Sequence, residues 1–453
     1  MAKRFFNCIE FNQAMGSEKW GIIGGGIMGM TLAHRLAKEG KDITLLEAAP
    51  QLGGLASSWK MGDVEWDKFY HVILLSDFKT RSILEDIGLD NEINWVETKT
   101  GFYINGKLYS MSDTIEFLKF PTLNLIDKFR LGLTIIVASR IKNWKRLEKI
   151  PVTKWLRRWS GKNTYNKIWL PLLRAKLGES YKKTSTVFIW ATIQRLYGAR
   201  RSGLKKEMFG YVSGGYKNII HAFEKTLLSE HVSIKTNYSA DEVNKLESGK
   251  IEIRSKSGFT EQFDKVIVTL PSGIAAKICP QLEKSEVDKL NNIEYLGVVC
   301  VSVLLDKPVS NFYITNITDS WVPFTGVIEM SALVDKKYFN GKSLIYLPKY
   351  VTAEDEIYNK SDDEIRDSFI EIFKKMYPWI NQEDIKFAGV ARARNVITVS
   401  KLNYSDNLPD IKTSIPDLYI INTSHIKDGT LNVNETVRVA ETKLQEILEK
   451  IEK

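Results

Sequence analysis

The sequence predicts an α/β fold in which a Rossmann unit at the N-terminus is interrupted by a second domain and resumed near the end of the chain. A strand, turn, helix, strand pattern opens near residue 20, and a further strand followed by a long helix closes the chain. A chain of 453 residues that is 43% hydrophobic can bury cores for two domains.

The composition excludes several other classes of protein. A charged content of 26% without long polar tracts argues against disorder. Cys8, Cys279 and Cys300 are odd in number and widely spaced, so we expect no disulfide framework and no metal site. Residues 1–19 lack the apolar core of a signal peptide and are expected to be a leader, and no stretch reaches the ~20 apolar residues that span a bilayer. These features predict a cytoplasmic protein.

The first element in chain order is the glycine turn in "WGIIGGGIMGMTLAHRLAKEG". Gly24, Gly26 and Gly29 hold the G-x-G-x-x-G positions between an apolar strand and a helix, with Ile27 and Met28 inside the turn. Glycine there allows a tight turn and lets the backbone approach a pyrophosphate at the helix N-terminus. Glu47 ends the next predicted strand, where its carboxylate can accept hydrogen bonds from ribose hydroxyls. The pattern predicts a bound dinucleotide.

The residues after Glu47 indicate which dinucleotide binds. They are Ala48, Gly53, Gly54, Leu55, Ala56 and Ser57. With them, the stretch from Gly21 to Ser58 resembles the N-terminus of the superfamily of FAD-dependent amine oxidases, phytoene desaturases and protoporphyrinogen oxidases. The resemblance implies a resident FAD, because the paired glycines of that superfamily pass close to the cofactor, whereas a nicotinamide dehydrogenase does not need them. Many members carry Arg or Lys where this chain has Ala48.

The resemblance also implies the domain organisation. It predicts a glutathione-reductase-type FAD-binding Rossmann domain interleaved with an α+β substrate domain, as in amine oxidases. The FAD-binding domain would comprise residues 20–98, 205–272 and 386–453, and the substrate domain residues 99–204 and 273–385.

Two later segments are expected to add cofactor contacts. Short strands in "HVSIKTNYSADEVNKLESGKIEIRSKSGFTEQFDKVIVTLP" resemble the second FAD segment of the superfamily, which implies a backbone contact from Val243 to adenine and an exit from the sheet at Thr269. In "PDLYIINTSHIKDGTLNVNETV" a strand and loop lead into a helix whose N-terminus would face the flavin. The implied contacts in this last segment are Asn422, Thr423, Leu431, Asn432 and Val433.

Four residues are candidates for catalysis. The segment "VEWDKFYHVILLSD" should return toward the flavin, which makes His71, with Tyr70, the leading candidate for moving a proton. The alternative is a buried histidine that only bonds a backbone carbonyl. Arg392 and Arg394 alternate on a predicted strand and therefore share one face. They would either clamp a substrate phosphate or carboxylate or form a salt-bridged pair at a sheet edge.

The net charge of +9 is concentrated in one region. Residues 140–162 are strongly basic and contain three tryptophans, and the stretch before them, from residue 117, is apolar but interrupted by charges. This pattern predicts either an anchor at the surface of a membrane or a core helix followed by a solvated basic helix. Nucleic acid is not an expected partner, because no recognition module is present.

Three functions stay open on the sequence. The first is an FAD-dependent oxidoreductase that transfers hydride between the flavin and an apolar small molecule or lipid, such as an isoprenoid, a polyprenyl lipid or a porphyrin. The second is a flavin mutase-like enzyme with no net redox change, acting on a sugar nucleotide or lipid-linked sugar. The third is a flavin-binding subunit without turnover. The electron acceptor is open.

Overall fold

The structure is a computed structural model that describes residues 18–198 and 207–451. Residues 1–17 of the predicted leader, with Cys8, and the predicted domain boundary at 204/205 lie outside the described residues. Lys19, assigned to the leader, begins the first strand. Five parallel strands form one sheet, in the spatial order Ser233–Lys235, Asp42–Leu46, Lys19–Ile23, Lys265–Val268 and Leu418–Ile420. This is the predicted Rossmann sheet, assembled from distant parts of the chain.

The two faces of the Rossmann sheet are covered differently. Helices Ile27–Lys38, Gly215–Ser229 and Val433–Ile451 bury apolar side chains against one face. A three-stranded antiparallel sheet of Ala240–Lys245, Ile251–Ser255 and Thr260–Phe263 shares a core with the other. The apolar strands are buried on both sides, which explains why they read as nearly continuous hydrophobic runs in the sequence.

The second domain is built on a seven-stranded mixed sheet. Its spatial order is Ile385–Thr398, Tyr295–Leu305, Ser343–Val351, Gly326–Glu329, Ile314–Ile317, Thr100–Ile104 and Lys107–Ser110. Helix Asp362–Met376 packs Phe369 and Phe373 against one face. The opposite face packs against the segment that carries Trp66 and Tyr70. The sequence boundary at 386 assigns strand Ile385–Thr398 to the FAD-binding domain, but this strand pairs along its length with Tyr295–Leu305.

The remaining elements connect these two sheets. Two smaller sheets pair Ser58–Met61 with Val64–Asp67, and Ile73–Leu74 and Ile93–Glu97 with Met208–Val212. The other helices are Phe78–Asp86, Thr114–Lys119, Leu125–Arg140, Lys145–Glu148, Val152–Thr164, Leu170–Leu177, Val187–Gly198, Ser272–Ile278 and Lys284–Asn291. Those between residues 114 and 198 share a core of their own. Within the described chain, none of the helices has the length and hydropathy to span a membrane.

Candidate functional site

The glycine turn after strand Lys19–Ile23 is sterically tight. Gly24 has φ +110°, and a Cβ on it would lie 2.4 Å from Thr269 Oγ1. A Cβ on Gly29 would lie 1.8 Å from the carbonyl oxygen of Gly24. Thr269 holds the turn in place, because its Oγ1 donates to the carbonyl of Ile23 at 2.8 Å. Side chains at both glycines are therefore excluded by the protein itself.

Gly26 is different, because a Cβ there would meet nothing within 4 Å. Helix Ile27–Lys38, which contains Met28, follows it with no side-chain cap and no acid in its first turn. The N-terminus of a helix carries unpaired N–H groups and a partial positive charge. Open space before an uncapped helix N-terminus fits a pyrophosphate.

The carboxylate of Glu47 is fixed by backbone donors at the end of its strand. The N–H of Gly25 donates to Oε2 at 2.6 Å and that of Ala49 donates to Oε1 at 2.8 Å. These bonds hold the carboxylate beside the glycine turn and leave lone pairs for other donors. Ala48 is exposed next to it.

The second pair of glycines packs directly on the first turn. Gly53 and Gly54 both have positive φ, +110° and +55°. The N–H of Gly53 donates to the carbonyl of Gly25 at 2.8 Å, and a Cβ on Gly54 would lie 3.3 Å from the Cα of Gly26. Ala56 and Ser57 are buried immediately afterwards, and Leu55 packs against the core of the mixed sheet. The two glycine motifs thus form one cradle that fits the pyrophosphate of FAD.

Val243, the predicted backbone contact to adenine, lies on strand Ala240–Lys245 beside the Rossmann sheet. The side chain of Val243 is fully buried in the core between the Rossmann and three-stranded sheets. The backbone N–H groups of Asn237 and Tyr238 donate to the carbonyls of Ala49 and Glu47, at 3.0 and 2.9 Å. The turn before Val243 therefore lies beside Glu47, and the contact of Val243 itself stays a prediction.

The amide of Asn422 is used inside the protein. Its Oδ1 accepts from the backbone N–H and the hydroxyl of Ser424, at 3.0 and 2.6 Å. Its Nδ2 donates to the carbonyl of Leu270 and to Ser272 Oγ, at 2.9 and 3.2 Å. These four bonds exhaust the amide. We therefore assign Asn422 to joining the ends of two strands rather than to holding FAD.

The loop before the last helix lines a cavity. Thr423 and Leu431 border it together with Phe188, Val396, Ile397, Thr398, Ser400, Ile426, Gly429 and Thr430. Asn432 caps the following helix, because its Oδ1 accepts from the N–H of Glu435 at 3.0 Å, and Val433 is the first helical residue. An adjoining cavity of ≈ 210 Å³ lies between this loop and the ion pair of Arg195 with Asp77, whose N–O distance is 3.0 Å.

A buried histidine near this loop makes stability depend on pH. His425 accepts from the N–H of Asn422, and burial lowers its pKa from 6.5 to about 4. Above pH 6.5 both folded and unfolded states are neutral, and between 6.5 and 4 only the unfolded state takes up the proton. Lowering the pH from 7 to 5 should therefore cost about 2 kcal/mol of unfolding free energy through this residue.

Urea denaturation at the two pH values measures this effect. The variant His425→Asn should lose that part of the pH dependence, whereas His221→Asn, at an exposed histidine, should keep it. Equal pH dependence in wild type and His425→Asn would contradict the assignment.

His71 packs against helix Gly215–Ser229, which also borders the second glycine pair. The N–H of Lys68 donates to the carbonyl of Ser57 at 2.9 Å, which brings the following residues back to the cradle. The ring of His71 lies 4.8 Å from that of Tyr216, one helical turn before Ile220, which contacts Gly53. His71 therefore packs against the helix that borders the second glycine pair, and its approach to the flavin stays a prediction.

The tautomer of His71 follows from its hydrogen bond. Nδ1 lies 2.9 Å from the carbonyl oxygen of Phe69, which can only accept, so Nδ1 carries the proton. Desolvation lowers the pKa of the half-buried imidazole from 6.5 to about 4. Neutral His71 therefore keeps a lone pair on Nε2. Tyr70 is fixed beside it by a 2.9 Å bond between its hydroxyl and that of Tyr350.

Arg392 and Arg394 are not part of this site. They share one face of the edge strand, as predicted, but it is the face toward helix Asp362–Met376. Arg392 pairs with Asp362 at 2.5 Å, and the guanidinium of Arg394 lies 4.3 Å from the ring centroid of Tyr358. The face toward Tyr70 carries Ala391 and Ala393 instead. The predicted substrate clamp is therefore corrected to the alternative, a paired arginine at a sheet edge.

Lys176 is a residue that the sequence does not single out. Its Nζ lies 3.5 Å from the ring centroid of Tyr350, whose hydroxyl bonds Tyr70. In the described chain no carboxylate pairs with it, and burial lowers its pKa from 10.5 to about 7. A lysine of this kind is unusual outside functional sites, but in the sequence it is one of many basic residues.

The ionisation of Lys176 can be measured by competitive acetylation followed by peptide mass spectrometry. Its reactivity should rise with a midpoint near pH 7. Lys182, which is exposed and paired with Glu179 at 2.6 Å, should respond only above its ordinary pKa. Identical midpoints for the two lysines would contradict the proposed environment of Lys176.

Comparison with known proteins agrees with this geometry. A family model described as flavin containing amine oxidoreductase matches residues 27–395. A 15-cis-phytoene desaturase of Capsicum annuum is 21% identical over 379 residues, covering 79% of this chain and 64% of the desaturase. The chain therefore spans less than two thirds of that relative.

Solved structures share the fold over nearly the whole chain. A proposed protoporphyrinogen oxidase from Exiguobacterium superposes with a TM-score of 0.74 at 17% identity, covering 96% of this chain and 99% of the other. Reduced UDP-galactopyranose mutase superposes with a TM-score of 0.71 at 16% identity, covering 95% and 96%. At these identities the likeness establishes the fold alone.

Proposed function

This chain belongs to the flavin-containing amine oxidoreductase family, with FAD as its cofactor, and we propose that it transfers hydride between the flavin and an apolar substrate. Relatives named phytoene desaturase and protoporphyrinogen oxidase support an apolar substrate class. The substrate proposed here is a polyene, a polyprenyl lipid or a porphyrin-like ring.

The observation that carries the proposal is the lining of the cavity beside the loop before the last helix. Five apolar or aromatic side chains border it, and no charged one does: they are Phe188, Val396, Ile397, Ile426 and Leu431. Arg392 and Arg394 lie on the far side of the mixed sheet, toward helix Asp362–Met376. An uncharged lining of this kind suits an apolar ligand, whereas a sugar nucleotide needs charged partners for its phosphates.

The chain's own residues would position the reactants and hold one proton. FAD, when bound, supplies the group that accepts or donates hydride. The lone pair on Nε2 of His71 can accept a hydrogen bond or a proton at that atom. The bond between Tyr70 and Tyr350 fixes the phenol next to His71. The N-terminus of helix Val433–Ile451 favours negative charge in front of it.

A mutase-like reaction is the second candidate, and Lys176 is the observation that favours it. A cation that pairs with no carboxylate of the described residues, on the face of the mixed sheet that carries Tyr350, suits a phosphate. The fold is also shared with reduced UDP-galactopyranose mutase. Arg195, which lines the larger cavity, is already paired with Asp77.

Product masses separate these functions. Holoenzyme would be incubated with phytoene in micelles, with a porphyrinogen and with UDP-galactopyranose, using oxygen or a quinone as acceptor. The proposal predicts a product that lacks a pair of hydrogens from an apolar substrate. An isomer of unchanged mass from the sugar nucleotide would establish the mutase instead. If neither product forms, the result favours the non-catalytic subunit.

A further inference from the structure

The first turns of helix Leu125–Arg140 bury charged side chains and expose apolar ones, the reverse of a helix on a water-exposed surface. Asp127 and Lys128 are each only 7% exposed. In the same turns of the helix, Leu125 is 74% exposed and Phe129 is 73% exposed. Helices on the surface of a protein in water normally bury the apolar stripe and expose the charges. This arrangement needs a partner that covers the apolar side.

The rotation of this helix is fixed by bonds from its polar side chains. Asn163 Nδ2 donates to Asp127 at 2.5 Å, and Lys128 Nζ donates to the carbonyl of Leu118 at 2.5 Å. The guanidinium of Arg130 donates to the carbonyls of Arg158 and Trp159 at 2.8 and 3.2 Å. Turning the helix to bury Phe129 would break these bonds and leave the amide of Asn163 and the three carbonyls without these partners.

The exposed apolar side continues onto the neighbouring helix Thr114–Lys119. We define the apolar face as the exposed residues Ile115, Leu118, Leu125, Ile126, Phe129, Leu133 and Ile136. Large side chains that cluster in this way mark a docking surface, whereas apolar residues scattered singly do not.

The charge around the apolar face identifies the partner. Exposed basic side chains lie at the ends of the two helices of the apolar face, in the segment that follows, and on and just after helix Val152–Thr164. They are Lys119, Arg140, Lys142, Lys145, Arg146, Lys149, Lys154, Arg157, Arg158, Lys162 and Lys167. In the described chain, none of them forms an ion pair with a carboxylate. Exposed apolar side chains on helices that also carry cations without an ion pair among the described residues suit the surface of an anionic lipid bilayer, in which apolar groups enter the acyl boundary and cations meet headgroups.

We propose that the apolar face docks this protein on an anionic membrane surface. The docked segment lies on the membrane rather than crossing it, because the helices are short and carry charges. This surface lies outside the flavin site, so the docking itself does not rest on the proposed reaction.

Docking would bring the cavity close to the lipid. Helix Val187–Gly198 lies between them, since Gln194 donates to the carbonyls of Ala138 and Ser139, at 2.9 and 3.0 Å. Ala191 and Arg195 of the same helix line the cavity. The cavity is therefore about one helix diameter, roughly 10 Å, from the C-terminal end of helix Leu125–Arg140. If the proposed reaction is correct, an apolar substrate would have a short path from the bilayer.

Vesicle co-sedimentation of the holoenzyme tests the docking. The probes are vesicles of phosphatidylcholine with phosphatidylglycerol and vesicles of phosphatidylcholine alone. Wild type should bind the anionic vesicles more tightly, and salt should weaken the binding. The double variant Ile126→Ser and Phe129→Ser should partition at least about tenfold more weakly.

The matched control is the double variant Leu228→Ser and Phe259→Ser, two residues that are 54% and 71% exposed outside the apolar face. It should bind like wild type. Flavin absorbance, measured on each variant, shows that the fold is intact. Equal binding of wild type and the apolar-face variant would overturn the proposal. So would wild type that ignores vesicles but forms a dimer that the apolar-face variant cannot form, since the partner would then be a second copy of the chain.

Discussion

Replacing Gly29 with alanine is expected to yield protein that does not retain FAD. The new Cβ would lie 1.8 Å from the carbonyl oxygen of Gly24, far inside van der Waals contact, so the turn must open. Opening the turn displaces the helix N-terminus that receives the pyrophosphate. We expect FAD affinity to fall at least about 100-fold, measured by the flavin content after purification and by fluorescence titration.

Two glycine variants separate the causes. Gly26→Ala meets no protein atom within 4 Å, so it should fold with unchanged stability and still bind FAD more weakly, because the methyl group enters the pyrophosphate space. Gly132→Ala, in open space on helix Leu125–Arg140, should bind FAD normally. If Gly29→Ala keeps its flavin, the proposed cradle is wrong.

Replacing His71 with alanine is the change expected to slow the reaction most without removing the cofactor. The imidazole of His71 is neutral and keeps a lone pair on Nε2, and positioned acid–base groups typically contribute about 10²–10⁴-fold in rate. Flavin reduction by substrate should slow by that factor while FAD content is unchanged. Stopped-flow absorbance measures the rate.

The matched control is His221→Ala, at an exposed histidine on helix Gly215–Ser229. It should react like wild type. His71→Gln, which keeps an acceptor oxygen, should recover part of the rate. Full activity in His71→Ala would return this residue to the purely structural alternative, a histidine that bonds the carbonyl of Phe69.

The sequence predicts the cofactor cradle well because its parts are local. Gly24, Gly29 and Glu47 lie in one strand, turn, helix, strand unit, so their spacing almost determines their geometry. In the structure, side chains at Gly24 and Gly29 would clash with neighbouring atoms, as the motif implies. The late strands that complete the Rossmann sheet were also predictable from their apolar runs and turns.

Residues whose role depends on distant parts of the chain were not predictable. Alternation correctly places Arg392 and Arg394 on one face, but only the packing of helix Asp362–Met376 decides which face that is. Asn422 occupies a loop where a cofactor contact was expected, yet its amide is taken up by Leu270 and Ser272 from another strand end.

Helix Leu125–Arg140 shows the same limit of prediction from a local sequence pattern. In the sequence, Asp127 and Lys128 read as interruptions of an apolar stretch. In the structure they are the buried anchors that turn the apolar residues outward. The rotation of a helix is set by its tertiary partners, which a local pattern does not contain.

Anaerobic mixing of the oxidised holoenzyme with an apolar substrate tests the central claim most directly. The flavin is the hydride acceptor in this direction of the proposed reaction, so its visible absorbance should bleach in a single turnover and return when a quinone or oxygen is added. The account would be contradicted if the flavin stays oxidised with every apolar substrate while enzyme with reduced flavin converts UDP-galactopyranose to an isomer.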